Sequence, residues 1–237
     1  MRVAALFDIH GNLPALEAVL ADLERHGGAD EIVVGGDVLW GPMQSECVER
    51  LEGVGASFIA GNCERDVLSP STDIDRWCYE RLGRPLRREA ASWPLVVEFD
   101  VNGVGPAVFC HATPHDDEAI VTRITPDDAL EAAFAGVDAP LVVCGHTHVQ
   151  FDRQVHGGPR LVNAGSVGLA YEDAAGAYWA LLGPGVDLRR TEYDVDLALD
   201  QLRSTGIPRF EEIIAPSVRG EVSAQEATAE FEGRRGA

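Results

Sequence analysis

The sequence predicts an α/β fold in which two packed mixed β-sheets are flanked by helices. Strand, loop and helix alternate through the first 62 residues, and after residue 94 strands crowd together between hairpin turns. A hydrophobic share of 46% in 237 residues is enough for a sizeable core. Residues 2–7 form a short apolar run ended by Asp8-Ile9-His10-Gly11-Asn12, the pattern of a buried strand entering a turn. Leu13, Leu16, Val19, Leu20 and Leu23 then fall at helical spacing over 13–25, with Pro14 in the first turn and Gly27-Gly28 as the stop. A strand at 32–34 closes on Gly35-Gly36-Asp37, a helix follows at 43–52, and a strand at 57–60 closes on Gly61-Asn62. Such alternation predicts a parallel sheet with ligands beyond the carboxyl ends of its strands, where Asp8, Asp37 and Asn62 all fall.

In the second half, strands are predicted at 95–100, 106–110, 141–144, 150–155, 160–162, 177–182 and 186–193, with a helix at 126–135. Asn102-Gly103, Gly157-Gly158 and Gly183-Pro184-Gly185 supply the turns. The simplest assembly lays this second sheet on the first, with helices outside. A helix is predicted at 195–203. The stretch 216–237, rich in Glu, Ala and Gly, reads as a loosely attached tail, so the main domain is expected at 1–193 and a helix-plus-tail segment at 194–237.

Charge narrows the choice of partners. There are 39 acidic residues against 19 basic ones, a formal net charge of −20, and every basic residue is Arg. Scanning of DNA or RNA requires a basic footprint, so nucleic acid in bulk is not an expected partner. A small phosphorylated substrate remains compatible, because a bound cation dominates its immediate surroundings. Residues 1–7 are too short for a signal-peptide core, and no apolar stretch reaches the roughly 20 residues of a membrane helix. Five cysteines at scattered spacings, without a CxxC pair, fit reduced thiols in a cytoplasmic protein with no membrane partner. The helix at 195–203 permits a homodimer without requiring one.

Taken singly, most of the polar strand ends are ordinary turn chemistry: a capping Asp, a Gly-Asn turn, a hydrogen-bonded His. The exception is Gly145-His146-Thr147-His148, where two imidazoles two residues apart after a strand form a natural metal clip. Jointly, five strand ends deliver Asp8 and His10, Asp37, Asn62, His111, and His146 with His148. These are the donor types of a divalent-metal site built from nitrogen and oxygen.

In order and spacing, these motifs resemble those of the calcineurin-like metallophosphoesterases over residues 1 to about 170. Within that family the chain looks most like the bacterial branch opening Asp-x-His-Gly-Asn, which includes diadenosine-tetraphosphatase-like phosphoesterases. Asn163-Ala164-Gly165-Ser166-Val167 resembles that branch's later loop. The resemblance implies a four-layer α/β/β/α sandwich and a hydrolase of small phosphodiesters or nucleotide-type compounds, with phosphomonoesters as the alternative. It also implies two divalent transition-metal ions (Mn, Fe, Zn, Ni or Co). One would be held by Asp8, His10, Asp37 and His148, the other by Asp37, Asn62, His111 and His146. Asp37 would bridge them and position a hydroxide for in-line attack on phosphorus. A bridging carboxylate is physically sensible, since two dications about 3.5–4 Å apart need anionic charge between them.

One position departs from the family. Many members carry a histidine after the motif Asn, thought to protonate the leaving oxygen or contact the phosphate; here it is Cys63, followed by Glu64. A neutral thiol is a weak hydrogen-bond donor. The departure implies either esters whose leaving group needs little protonation, or a protein that chiefly binds, as scaffold members of the fold do. The intact ligand set argues for the enzyme. Further substrate contacts are expected from Asn12, just past His10, and from Arg65. The stretch 65–93 is expected to form a cap. Over 65–88, Arg65, Arg76, Arg81, Arg84, Arg87 and Arg88 face only four acids, leaving Arg84, Arg87 and Arg88 to grip phosphate beside Trp77, Tyr79 and Trp93.

Overall fold

The computed structural model describes residues 1–235 and consists of two five-stranded sheets packed face to face. The first sheet has β1 (Val3–Leu6) at its centre, beside β2 (Glu31–Val34) and β3 (Ser57–Phe58), all parallel. The second contains β4 (Val96–Val101), β5 (Gly105–Cys110), β6 (Leu141–Cys144), β8 (Arg160–Asn163) and β7 (Phe151–Gln154), in that spatial order. Its inner strands β5, β6 and β8 are parallel, and the edges β4 and β7 antiparallel. Every strand expected from the sequence is present.

Their assignment to sheets differs from the simple reading in one respect. β9 (Ala177–Leu182) and β10 (Val186–Thr191) return to the first sheet, giving the order β10-β9-β1-β2-β3, with β9 antiparallel to β1. All six side chains of β9 and all four of β1 are buried, as in strands covered on both faces. Only the middle of a sheet offers that environment.

Alternation along the strands sorts the core into layers. Val3, Ala5, Phe7 and Val33 face Phe109, Leu141, Val143 and Val162 between the sheets. The intervening Ala4 and Leu6 face the opposite way, onto α1 (Leu13–Arg25), whose Leu16, Val19, Leu20 and Leu23 pack there. On the far side Val108, Val142 and Leu161 meet Leu130 of α6 (Asp127–Ala133) and Phe134. The result is helix, sheet, sheet, helix.

Residues 62–90 form α3 (Asn62–Leu68), α4 (Asp73–Arg81) and α5 (Arg84–Ala90), set against the outer face of the first sheet together with α2 (Gln44–Glu52). Trp77, Tyr79, Leu86 and Trp93 pack against that core, Trp93 stacking on Phe58 with ring centroids 4.7 Å apart. After α7 (Val195–Ser204) comes a π-helical turn, Phe210–Ile214, then α8 (Ala215–Val218) and α9 (Ala224–Arg234). The expectation of a loose tail over 216–237 is therefore corrected for its described residues. α9 has few large apolar side chains, but Ala224 and Ala227 approach Val149 closely, and Glu232 accepts hydrogen bonds from the hydroxyls of Thr122 and Thr125. Residues 236 and 237 lie outside the described residues. Among the described residues, no helix is long and apolar enough to cross a membrane, and the five cysteines are unpaired.

Leu141, fully buried between the sheets, reports on the layer that aligns the strand ends. Leu141→Ala should cost about 2–5 kcal/mol of stability in urea unfolding, with the denaturant slope unchanged.

Candidate metal centre

The carboxyl ends of β1, β2, β3, β5 and β6 meet in one cleft, and the seven expected ligands converge there. The backbone is bent to achieve this. Asp8, His10, Asp37, His146 and His148 all have positive φ, between 46° and 67°; among the described residues Arg209 is the one other non-glycine to do so. Left-handed backbone is uncommon for residues with a Cβ and costs of order 1 kcal/mol or more at each position. Five such residues in one cleft mark a place where side-chain direction overrides local preference.

The loops interlock to hold that strain. Asp8 N–H donates to Gly36 O at 3.2 Å and His10 N–H to Asp37 O at 2.9 Å, while Gly145 N–H donates to His111 O at 2.8 Å. The approach is so close that a Cβ on Gly145 would lie 2.3 Å from Asp8 Oδ2, and one on Gly61 2.4 Å from Asp37 Oδ1. The Asn163–Val167 loop braces the far side. Asn163 Nδ2 donates to Gly145 O at 2.6 Å, and Ser166 Oγ to Asp8 O at 2.7 Å.

Glu64, to which the sequence reading gave no role, ties the motifs together. Buried beneath the cleft, its carboxylate accepts N–H bonds from Asp37 (2.7 Å), Val38 (2.8 Å), Leu39 (3.0 Å) and Gly61 (2.7 Å). Burial and Asp37 push this carboxyl up to about 7, while the backbone donors pull it down. Its signal in the sequence was the Gly-x-x-Glu spacing at the start of α3, the capping-box position of a glutamate.

Three imidazoles are locked in one orientation. His10 Nδ1 donates to Trp40 O (3.1 Å), His111 Nδ1 to Gly35 O (2.9 Å) and His148 Nδ1 to Leu169 O (2.6 Å). A carbonyl only accepts, so each Nδ1 carries a proton and each Nε2 points inward, bearing a lone pair when the ring is neutral. There the Nε2 atoms of His10 and His148 stand 3.1 Å apart, and His111 Nε2 stands 3.1 Å from Asn62 Oδ1. Asp8 Oδ1, 3.2 Å from His148 Nε2, is buried and has no hydrogen-bond partner. Asp37 Oδ2 lies between the two halves, 3.8 Å from His10 Nε2 and 3.5 Å from His111 Nε2. Its other oxygen, Oδ1, accepts from Cys63 N–H at 2.9 Å.

Electrostatics keeps four of these groups, Asp8, Asp37, His10 and His146, in ligand form. Burial pushes the Asp8 carboxyl upward, but His148, His111 and His10 outweigh it and hold the group below the usual carboxylate range. Asp37 is lowered likewise, burial being overcome by His111 and His10. Burial and His148 pull His10 down to about 4, and burial and His111 do the same for His146. At neutral pH these two rings are uncharged, with lone pairs free. His111 moves the other way: burial opposes its charge, but Asp37 and Asp8 favour it.

A divalent cation fits this arrangement. Facing lone pairs and an orphaned carboxylate oxygen in a buried cluster repel one another unless positive charge stands among them. Ligand atoms of Asp8, His10 and His148 lie within 4.8 Å of one another, as do those of Asp8, Asp37 and His111. His146, its ring 5.1 Å from that of His111, and Asn62 border the open side.

The expected substrate contacts fare differently. Asn12 is buried as the N-cap of α1: its Oδ1 accepts from Ala15 N–H, and its Nδ2 donates to Gly168 O. Its polar atoms serve the backbone and the Tyr193 hydroxyl. Arg65 is paired with Asp66, Asp117 and Glu118. The cleft is lined by His10, Asp37, Trp40, Asn62, Cys63, His146, His148, Leu169, Tyr171, Ile213 and Phe231, and by no arginine. Arg84, Arg87 and Arg88 belong to α5, which packs on the outer core, and Arg87 covers the Tyr79 ring at 4.1 Å. The expected cap over 65–93 thus contributes no arginine to this cleft, because its aromatic residues anchor the helices elsewhere. Tyr171 and Phe231, which do line it, carried no signal in the sequence.

Comparison with known proteins agrees with this geometry. The calcineurin-like phosphoesterase superfamily domain matches residues 1–182. A metallophosphoesterase of known structure from Sphaerobacter thermophilus superposes with a TM-score of 0.75 at 25% identity, over 93% of this chain and 100% of that one. A hypothetical protein from Pyrococcus horikoshii shares the fold, with a TM-score of 0.79 at 20% identity over 94% and 99% of the two chains. An uncharacterized protein of Methanocaldococcus jannaschii is 26% identical over 234 residues, covering 88% of this chain and 94% of the relative.

Glu64→Ala would strand four buried N–H groups. It should destabilise the protein by about 3 kcal/mol or more in urea unfolding and weaken divalent-ion binding, with Glu64→Gln falling between. Replacing Arg84 and Arg88 together with Ala should leave KM for a small phosphoester unchanged; a raised KM would restore the cap.

Proposed function

This chain belongs to the calcineurin-like phosphoesterase superfamily, and on that premise we propose that it is a dinuclear metal-dependent hydrolase of small phosphodiesters or nucleotide-type phosphoesters. The observation that carries the proposal is the orphaned Asp8 Oδ1 among inward-facing Nε2 atoms, a cluster of lone pairs that calls for cations. Asp8, His10, Asp37 and His148 would hold one ion, and Asp37, Asn62, His111 and His146 the other. The position of Asp37 Oδ2 between His10 and His111 supports its sharing. This nitrogen and oxygen donor set suits Mn, Fe, Co, Ni or Zn. When bound, such ions supply a nucleophilic water at neutral pH and neutralise charge developing on the phosphoryl group.

The chain's own contribution is orientation. The carbonyls of Trp40, Gly35 and Leu169 fix three imidazole rings, so no reorganisation is required when a substrate arrives. Asn62, Cys63 and His146 border the cleft and stand where the reacting phosphoryl group would meet the protein. Burial, then Asp37, raises the Cys63 thiol well above its ordinary value, so it stays neutral. A neutral thiol protonates a departing oxygen poorly. That supports diesters and esters with good leaving groups over alkyl monoesters.

Hydrolysis of bis-p-nitrophenyl phosphate with added Mn should be abolished by chelator and by His146→Ala. Metal binding without turnover across a broad phosphoester panel would contradict the proposal and favour a scaffold. Cys63→His should raise the rate on monoesters; an unchanged rate would place the thiol away from the leaving group.

A further inference from the structure

The cleft has a second wall that the metal cluster does not use. Trp40, Leu169, Tyr171, Ile213 and Phe231 line it, drawn from chain segments as remote as the β2 loop and α9. We propose that this wall recognises an uncharged planar ring carried by a phosphoester with a single phosphate, and that Phe231 of α9 is its specificity-determining residue. The inference rests on the phosphoesterase reading above and narrows its substrate class.

Three observations support it. The first is the ring geometry. Tyr171 stacks on the candidate ligand His148, with centroids 4.6 Å apart and 27° between planes. Phe231 stands 6.0 Å from the His146 ring and 6.4 Å from Tyr171. Aromatic surface therefore begins at the ligands themselves, within reach of a ring attached to the reacting phosphoryl group, and such faces favour another ring by offset or edge contact.

The second observation is that Phe231 is held in place. Ser223 caps α9 by accepting from Glu226 N–H, and Ala224 and Ala227 pack with Val149 and Tyr171. One residue past Phe231, Glu232 accepts from Thr122 and Thr125 and pairs with Arg235. The third is charge. No Arg lines this cleft, and the sequence contains no Lys. Arg65 is occupied by three carboxylates, and Arg234, 5.7 Å from the Phe231 ring, is paired with Glu230. Glu212, Glu230 and Arg234 line the adjoining cavity, with Arg234 held by Glu230. A second phosphate would meet apolar rings, two carboxylates and a guanidinium already paired, where polyphosphate recognition needs free guanidinium or ammonium groups. The volume, about 170 Å³, is also small against the roughly 300–1,000 Å³ that houses drug-sized ligands.

The test is calorimetric titration of the full chain, loaded with Mn, using phenylphosphonate, methylphosphonate and 4-carboxyphenylphosphonate. Phenylphosphonate should bind about fivefold more tightly than methylphosphonate, and the added carboxylate should weaken it. Phe231→Ala should erase the phenyl advantage and Phe231→Leu retain part of it, with thermal unfolding showing both variants folded. Equal affinity of the wild type for the phenyl and methyl compounds overturns the inference. So does a phenyl preference that survives Phe231→Ala in a folded protein. Chelator-sensitive turnover of bis-p-nitrophenyl phosphate, measured in parallel, separates the two readings. Turnover without a phenyl preference overturns the ring pocket alone; absence of turnover overturns the phosphoesterase reading and the ring pocket with it.

Discussion

Mutual repulsion among inward-facing lone pairs is the constraint around which this molecule is organised. Carboxylate oxygens and imidazole Nε2 atoms are held about 3–4 Å apart in a buried cluster, and Asp8 Oδ1 has no hydrogen-bond partner there. No folded protein gains by that arrangement alone, since buried unpaired acceptors are costly. Left-handed backbone at five of the candidate ligands adds to the cost. The rest of the fold supplies the compensation: two sheets with fully apolar central strands, a dry layer between them, and loops that bond to one another across the strand ends.

The frame transmits its rigidity through a few polar residues outside the cleft lining. Glu64 binds the Asp37 and Asn62 loops into one unit through four backbone N–H groups. Asn163 and Ser166 do the same for the Gly145 and Asp8 loops. Three backbone carbonyls then set the imidazole tautomers. The directions of His10, His111 and His148 are therefore fixed two contacts deep.

Much of this was legible in the sequence. Apolar runs ending in Asp, Asn or His announced both the strands and the side chains that converge in the cleft, because period-2 burial and strand-end chemistry are local signals. What was not legible depended on tertiary contact. The return of β9 to the first sheet is a pairing choice that its all-apolar sequence allows but does not name. α9 is held by two alanines and a glutamate rather than by a broad apolar stripe, so its composition resembled a tail. The arginines of 65–88 formed a conspicuous cluster, yet their aromatic neighbours bury against the outer core and carry the helices with them. Asn12 follows His10 closely enough to suggest a contact, but its amide is consumed by capping α1 and bonding Gly168.

On the proposed function, with the arginines elsewhere, attraction for a phosphorylated substrate in a chain of charge −20 would fall to the cations the cluster holds, and selectivity to the aromatic wall beside it. The most direct test of that dependence is the metal content of the purified chain, loaded with Mn(II), desalted and measured by mass spectrometry. The account predicts about two retained ions per chain, as in sites where a carboxylate is shared between paired cations, and loss of both in Asp37→Ala. A wild-type protein that retains none would contradict it.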